Sequence, residues 1–131
     1  MSFTAKITEF KNSAINSQTT NCYNMGASRA YYSAYLHARE YLKAKKFAYK
    51  QFVSSLKDIK NPSDYAHETI FRALVDCLEK NGKPSDEIDK LAGWDNLYRK
   101  RIKADYYKEM IDQNEIRECV QILNEILNVI K

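Results

Sequence analysis

Backbone breakers are scarce in this chain: 131 residues contain two prolines and three glycines. So few turn-forming residues, beside abundant Ala, Leu, Ile, Lys and Glu, favour helices over strands or disorder. Cysteine is also rare. Cys22, Cys77 and Cys119 make an odd set of three without paired metal-ligand spacing, which argues against a disulfide framework or a zinc site. Cys77 and Cys119 fall at apolar helical positions and read as buried, reduced thiols. No run is long and apolar enough to span a membrane, and the polar N-terminus lacks the apolar core of a signal peptide. The expectation is a cytoplasmic protein without a membrane partner. A glycine-rich phosphate loop, a nucleophile elbow, a zincin pattern and Cys-x-x-Cys are all missing, so no metal or cofactor is expected. At this length one domain over residues 1–131 can bury a single core.

What the chain does have is helical periodicity. Phe3, Ile7, Phe10 and Ala14 step along one face of a first helix, predicted over Phe3 to Ser17 and broken by Gln18 to Asn21. A second runs to about Lys45. Residues 46–61 read as a loop with a short helix near Phe52 to Leu56. Asn61-Pro62 marks the next start, and His67, Phe71, Leu74 and Leu78 share a stripe up to Asn81-Gly82. From Pro84-Ser85 onward, Ile88, Leu91, Trp94, Tyr98 and Ile102 form one apolar side, with Arg101 and Asp105 at its edge. Asp112 and Glu115 form a capping pattern for a last helix carrying Ile116, Cys119, Val120, Leu123, Leu127 and Ile130. The expected architecture is all-α: an up-and-down bundle of four long helices plus a short fifth element.

The net charge is only +4, which by itself does not indicate a nucleic-acid partner. Two local clusters say more. Lys43, Lys45, Lys46 and Lys50 form one, and Arg99, Lys100, Arg101 and Lys103 form the other; with interleaved tyrosines they suit either solvated helix faces or contacts to phosphates and bases. Acidic Asp86, Glu87 and Glu115 fit helix starts, where carboxylates oppose the N-terminal dipole.

The most informative stretch is Ser28-Arg29-Ala30-Tyr31-Tyr32-Ser33-Ala34-Tyr35-Leu36-His37-Ala38-Arg39-Glu40-Tyr41-Leu42. Ala27, Ala30, Ala34 and Ala38 recur at steps of three and four, so a neighbouring helix can approach that side closely. Tyr31, Tyr35, Tyr41 and Leu42 flank this stripe with bulk. Arg29, Tyr32 and Leu36 lie on another side, which points to a helix with neighbours on more than one face, either a central element of the bundle or one that also forms a dimer interface. This stretch resembles the signature helix of HEPN domains. The Asp64 to Leu74 stretch, with its His67 ahead of an apolar helix, resembles a second family segment, and Arg101-Ile102-Lys103-Ala104-Asp105-Tyr106 resembles a third, Arg-x-x-Ala-Asp-Tyr. Together the blocks cover the chain from about Cys22 onward, in the family's order.

The resemblance implies a HEPN-like bundle, a homodimer, and a toxin-antitoxin or antiviral defence setting, with RNA bound at a dimer groove. Family members that cut RNA do so without metal, using an Arg followed after four to six intervening residues by His. The chemistry needs a group that moves the proton of the attacking 2′-hydroxyl and a cation that holds charge on the phosphorane. Arg101 stands in the matching place, but Tyr106, Tyr107 and Lys108 occupy the positions of the histidine. A tyrosine, with an ordinary pKa near ~10, is a poor base at neutral pH. His67 is the histidine that can take that role from a neighbouring helix; its plainer reading is a half-buried side chain bonded to a tyrosine or carboxylate. Arg101 and Asp105 are either a structural ion pair or, with Arg29, Tyr32 and Tyr106, an anion-binding site. The family also implies a nucleotidyltransferase antitoxin that modifies a tyrosine, here Tyr106 or Tyr107. The competing reading is a non-catalytic helical module that binds protein or nucleotide.

Overall fold

The computed structural model describes residues 4–20, 22–58 and 66–131. Phe3 and the stretch from Asn61 through Tyr65 lie outside them. The described residues form seven α-helices, one 3-10 turn and no strand. They are α1 (Thr4–Thr20), α2 (Tyr23–Ala44), α3 (Tyr49–Ser54), α4 (Ala66–Lys80), α5 (Ser85–Asp89), α6 (Trp94–Tyr106) and α7 (Gln113–Val129), with the 3-10 turn at Lys90–Gly93 between α5 and α6. No helix among the described residues is long and apolar enough to cross a membrane.

Helix α2 is the axis of the bundle, packing against α1, α4, α6 and α7. Its alanine stripe explains how. Ala27, Ala30, Ala34 and Ala38 are each 0% exposed, and side chains that end at Cβ let neighbouring backbones come close without loss of rotamer freedom. Gly26 extends the stripe. A Cβ there would sit 1.9 Å from Ser17 Oγ and 2.8 Å from Ile116 Cδ1, so α1 and α7 both close on α2 at a point where only hydrogen fits. The core is completed by Leu74, Leu78, Leu91, Trp94, Leu97, Ile116, Leu123 and Ile126, all buried.

Helix α1 continues to Thr20 rather than stopping at Ser17. Its polar tail bonds backward: Ser17 Oγ donates to Ala14 O at 2.6 Å, Thr19 Oγ1 to Asn16 O at 3.0 Å and Thr20 Oγ1 to Asn16 O at 3.2 Å. Hydroxyls that share helical carbonyls in this way can be carried inside a last turn. The short helix of the α2–α4 connection starts at Tyr49, ahead of the predicted Phe52.

The expected four long helices become five of 13 residues or more, with two short ones. The helix predicted from Ser85 onward breaks into α5, the 3-10 turn and α6. Helix α7 closes on this break: a Cβ on Gly93 would lie 2.7 Å from Ile122 Cγ2. In 3-10 winding, residues three apart eclipse one another. Leu91 in that turn and Trp94 and Leu97 in α6 are fully buried, while Tyr98 and Ile102 are only half-buried.

Helix ends follow local chemistry. Helix α4 closes on Asn81-Gly82 in a Schellman arrangement: Lys83 N–H donates to Leu78 O at 3.0 Å and Gly82 N–H to Glu79 O at 3.1 Å, with Gly82 at φ +78°. Helix α2 ends identically but with lysine in the left-handed position: Phe47 N–H donates to Leu42 O, Lys46 N–H to Lys43 O, and Lys46 has φ 54°. Helix α7 begins with the anticipated capping box, in which Glu115 N–H donates to Asp112 Oδ1 at 2.8 Å and Asp112 N–H to Glu115 Oε1 at 3.1 Å. Cys77 and Cys119 are buried and Cys22 is exposed; burial pushes the Cys119 thiol up to about 12.

Candidate functional site

Helices α2, α4 and α6 meet around a cavity of about 260 Å³ lined by Tyr31, Tyr32, Tyr35, Ala66, His67, Tyr98 and Arg101. Each helix contributes through its own register. On α2, Tyr31 turns inward, only 4% exposed, and carries rings on several sides: Tyr98 at 5.3 Å, Tyr32 at 5.6 Å, Tyr35 and Trp94 at 6.0 Å between centroids. On α6, Tyr98 and Arg101 are three residues apart and so share a face. On α4, His67 sits in the first turn, and its carbonyl accepts the Trp94 indole N–H at 3.1 Å, tying the start of α4 to the start of α6.

His67 lies flat on Tyr98, with centroids 3.6 Å apart and planes within 2°. Among the described residues no group is hydrogen-bonded to its ring nitrogens, and the contact shown for the ring is the stacking on Tyr98. Burial lowers its pKa, against the opposing influence of Asp95 and Glu68. That shift favours the neutral ring, in which an imidazole nitrogen is able to take a proton.

Arg101 is held from three directions. One terminal nitrogen donates to Tyr32 Oη at 2.5 Å. Its Nε is 3.1 Å from Asp105 Oδ2, an ion pair one helical turn long in which the N–H is not aimed at the oxygen. Its Cζ lies 5.2 Å from the Tyr32 centroid and 5.4 Å from that of Tyr106, a distance at which ring quadrupoles attract a cation. Partial burial works against the charge, but Tyr32, Asp105 and Tyr106 outweigh it and hold the guanidinium pKa above its usual value. Asp105 also accepts from Ser28 Oγ at 3.3 Å, linking α6 to α2. The ion pair is thus both a packing link and the edge of a cavity.

Arg29 takes a different place. It lies over Phe10, 4.7 Å from Cζ to the centroid, and lines a separate depression of about 370 Å³ with Met25, Ser28, Tyr32 and Asp105. Tyr32 borders both spaces, so Arg29 and Arg101 do not line a common cavity. Tyr106 lies beside Arg101 yet is 69% exposed.

No match to a protein-family model, a curated protein or a solved structure was found for this chain.

The basic cluster around Arg101 is less available than its sequence suggests. Lys100 Nζ donates to Glu115 Oε2 at 2.9 Å, and Lys103 Nζ to Oε1 and Oε2 at 3.0 and 2.9 Å. Arg99 pairs with Asp95 at 2.5 Å. Glu115 meanwhile caps α7, and although burial pushes its pKa upward, the bonds from Lys100, Lys103 and the Asp112 N–H override it and hold the carboxyl down to about 2. Lys43, Lys45, Lys46 and Lys50 are all exposed. Tyr98 and Tyr35 were absent from the expected site; the i, i+3 spacing of Tyr98 to Arg101 and of Tyr32 to Tyr35 was the signal that placed them there. His37 serves packing: its Nε2 is 2.6 Å from Ile130 O. Among the described residues no group of three His, Cys, Asp or Glu side chains converges as a metal site.

Proposed function

We propose that this chain is a HEPN-like RNA-binding protein whose cavity between α2, α4 and α6 takes a backbone phosphate and cleaves the strand without metal. The observation that carries the reading is that Arg101 and His67, from different helices, line one tyrosine-walled cavity. A guanidinium is a planar donor suited to phosphate oxygens. The aromatic walls suit a base or ribose face. In this reading His67 takes the proton of a 2′-hydroxyl as that oxygen bonds to the adjacent phosphorus, and Arg101 holds the charge that builds on the phosphorane. The bond from phosphorus to the 5′-oxygen breaks, leaving a 2′,3′-cyclic phosphate; the departing oxygen gains a proton from solvent, and the imidazolium returns its own. Tyr106, beside Arg101 at the surface, stacks an outgoing base. His67 thus stands in for the histidine missing after Arg101.

The homodimer, the defence setting and a nucleotidyltransferase partner acting on Tyr106 or Tyr107 belong to this proposal through the family resemblance. A second reading, a non-catalytic protein-binding module, draws on the exposure of Tyr106, Tyr107 and Met110 at 69%, 62% and 70%. The two separate in one experiment: incubation of labelled RNAs with wild type, His67→Gln and Arg101→Lys, with metal chelated and folding followed by circular dichroism. Cleavage by wild type that falls at least ~100-fold in folded His67→Gln supports the catalytic role. Cleavage unchanged in both variants refutes it, and no cleavage or RNA binding by any of them leaves the binding-module reading.

A further inference from the structure

A second cavity adjoins the one just described. It encloses about 460 Å³ and shares Tyr35 with it; its other lining residues are Arg39, Leu42, Lys43, Phe47, Tyr49 and Ile70. Leu42 and Ile70 are buried, Phe47 and Tyr49 are half-buried, and Arg39 and Lys43 are exposed. The aromatic walls are fixed. Tyr49 Oη is 2.8 Å from Thr69 Oγ1 on α4, and Phe47 packs on Phe52 with centroids 5.6 Å apart. Arg39 Cζ lies 5.8 Å from the Tyr35 centroid, which places a cation over the ring common to both cavities.

Helix geometry turns these neighbours into a track. Tyr32, Tyr35, Arg39 and Lys43 follow one another at three and four residues, so they line one side of α2. From Tyr32, which touches Arg101, to Arg39 is a rise of roughly 10 Å, and to Lys43 about 16 Å, at ~1.5 Å per residue. Each strand of a DNA duplex spaces its phosphates by about 3.4 Å along the axis. At that stacked spacing the track spans roughly three to five nucleotide steps, and fewer for a more extended strand. It carries Arg101 at one end, Arg39 and Lys43 at the other, and aromatic rings between. Alternating cations and rings are the recognised means of holding single strands without reading their sequence.

We propose that the Arg39–Lys43 cavity is a second subsite for single-stranded RNA, holding the phosphates and a stacked base of nucleotides that extend along α2 from the Arg101 cavity. This rests on the RNA reading above and adds a strand path within one protomer. Helix α2 is the ruler for that path, and Tyr35 is the shared step between the two cavities.

The test compares fluorescein-labelled 2′-O-methyl oligouridylates of about two and about eight nucleotides by anisotropy over a salt series. The proteins are wild type, Arg101→Lys and the double variant Arg39→Gln/Lys43→Gln, each checked by circular dichroism. Wild type is expected to bind the longer strand more tightly than the shorter. In the double variant that advantage should fall at least ~10-fold, and the salt slope should drop by about 1.4 for two lost phosphate contacts on a single strand. Binding of the dinucleotide should persist there and weaken in Arg101→Lys. An unchanged long-strand affinity and slope in the double variant, with binding lost in Arg101→Lys, overturns the subsite while leaving the Arg101 cavity standing. Loss only in the double variant supports the subsite and overturns the Arg101 reading. No binding of either strand by wild type overturns both.

Discussion

Neutralising Glu115 should reveal how much one carboxylate contributes to holding α6 on α7. Its oxygens accept from Lys100, Lys103 and the Asp112 N–H, and its side chain is 13% exposed. The folded-state value of about 2, against an ordinary 4.5, corresponds at about 1.4 kcal/mol per pH unit to roughly 3 kcal/mol. Lys100 and Lys103 are 22% and 29% exposed, so water screens part of that interaction. A net contribution of about 2 kcal/mol is the expectation for Glu115→Gln at neutral pH. The folded pKa is depressed, so the contribution is fully present above the ordinary value of 4.5 and disappears as pH falls through about 2. Urea unfolding followed by circular dichroism measures it. With a slope near ~2 kcal/mol/M, the variant's midpoint should lie about 1 M below wild type at neutral pH. The two midpoints should converge as pH falls through that window. A midpoint gap of the same size at about pH 2.5 as at neutrality would refute the argument, because it would assign the loss to shape rather than ionisation.

Three further outcomes follow from the helix junctions and the stacked histidine. Lys46→Gly should stabilise the protein by about 0.5–1 kcal/mol in thermal melts, because glycine relieves the left-handed strain at φ 54° and yields part of the gain in unfolded-chain entropy. Gly26→Ala should destabilise by at least ~2 kcal/mol through its clash with Ser17. Ser17→Gly should recover part of that loss in a double-mutant cycle, whereas strict additivity would show that the contact at Gly26 is not what the substitution strains. The His67 imidazole, its pKa lowered by burial, should titrate by NMR below the ordinary histidine value of 6.5. Its unfolded form binds the proton more readily, so stability declines as pH drops below that value; a titration midpoint above it would contradict the burial argument.

The bundle was legible wherever local pattern and tertiary contact agree. The α2 alanines, the Asp112–Glu115 box and the Asn81-Gly82 end each depend on residues within a few positions, and each is present as anticipated. Misplacements arose where a distant element decides. Gly93 looks like an ordinary helical residue until Ile122 closes on it. The charges of Lys100 and Lys103 look available until α7 brings Glu115 to them. The candidate site divides the same way. Arg101 and Asp105 pair over one turn, as their spacing implied. The stacking of His67 on Tyr98 depends on how α4 is rotated against α6, which no periodicity encodes. The separation of Arg29 from Arg101 by the Tyr32 ring is equally a matter of three-dimensional placement.

The four sealed alanines of α2 also determine how this helix will answer saturation mutagenesis. Each is fully enclosed, so a larger side chain meets packed neighbours rather than space, and overpacking costs about 1–3 kcal/mol. A scan of α2 should therefore show intolerance at Ala27, Ala30, Ala34 and Ala38 that scales with added volume, with a further penalty for polar side chains left unpaired. Sensitivity at Tyr32 and Tyr35 should instead follow the loss of hydroxyl or ring. Two interleaved periodic signals in one helix, one volumetric and one chemical, would distinguish residues that set the spacing of the bundle from those that handle a ligand.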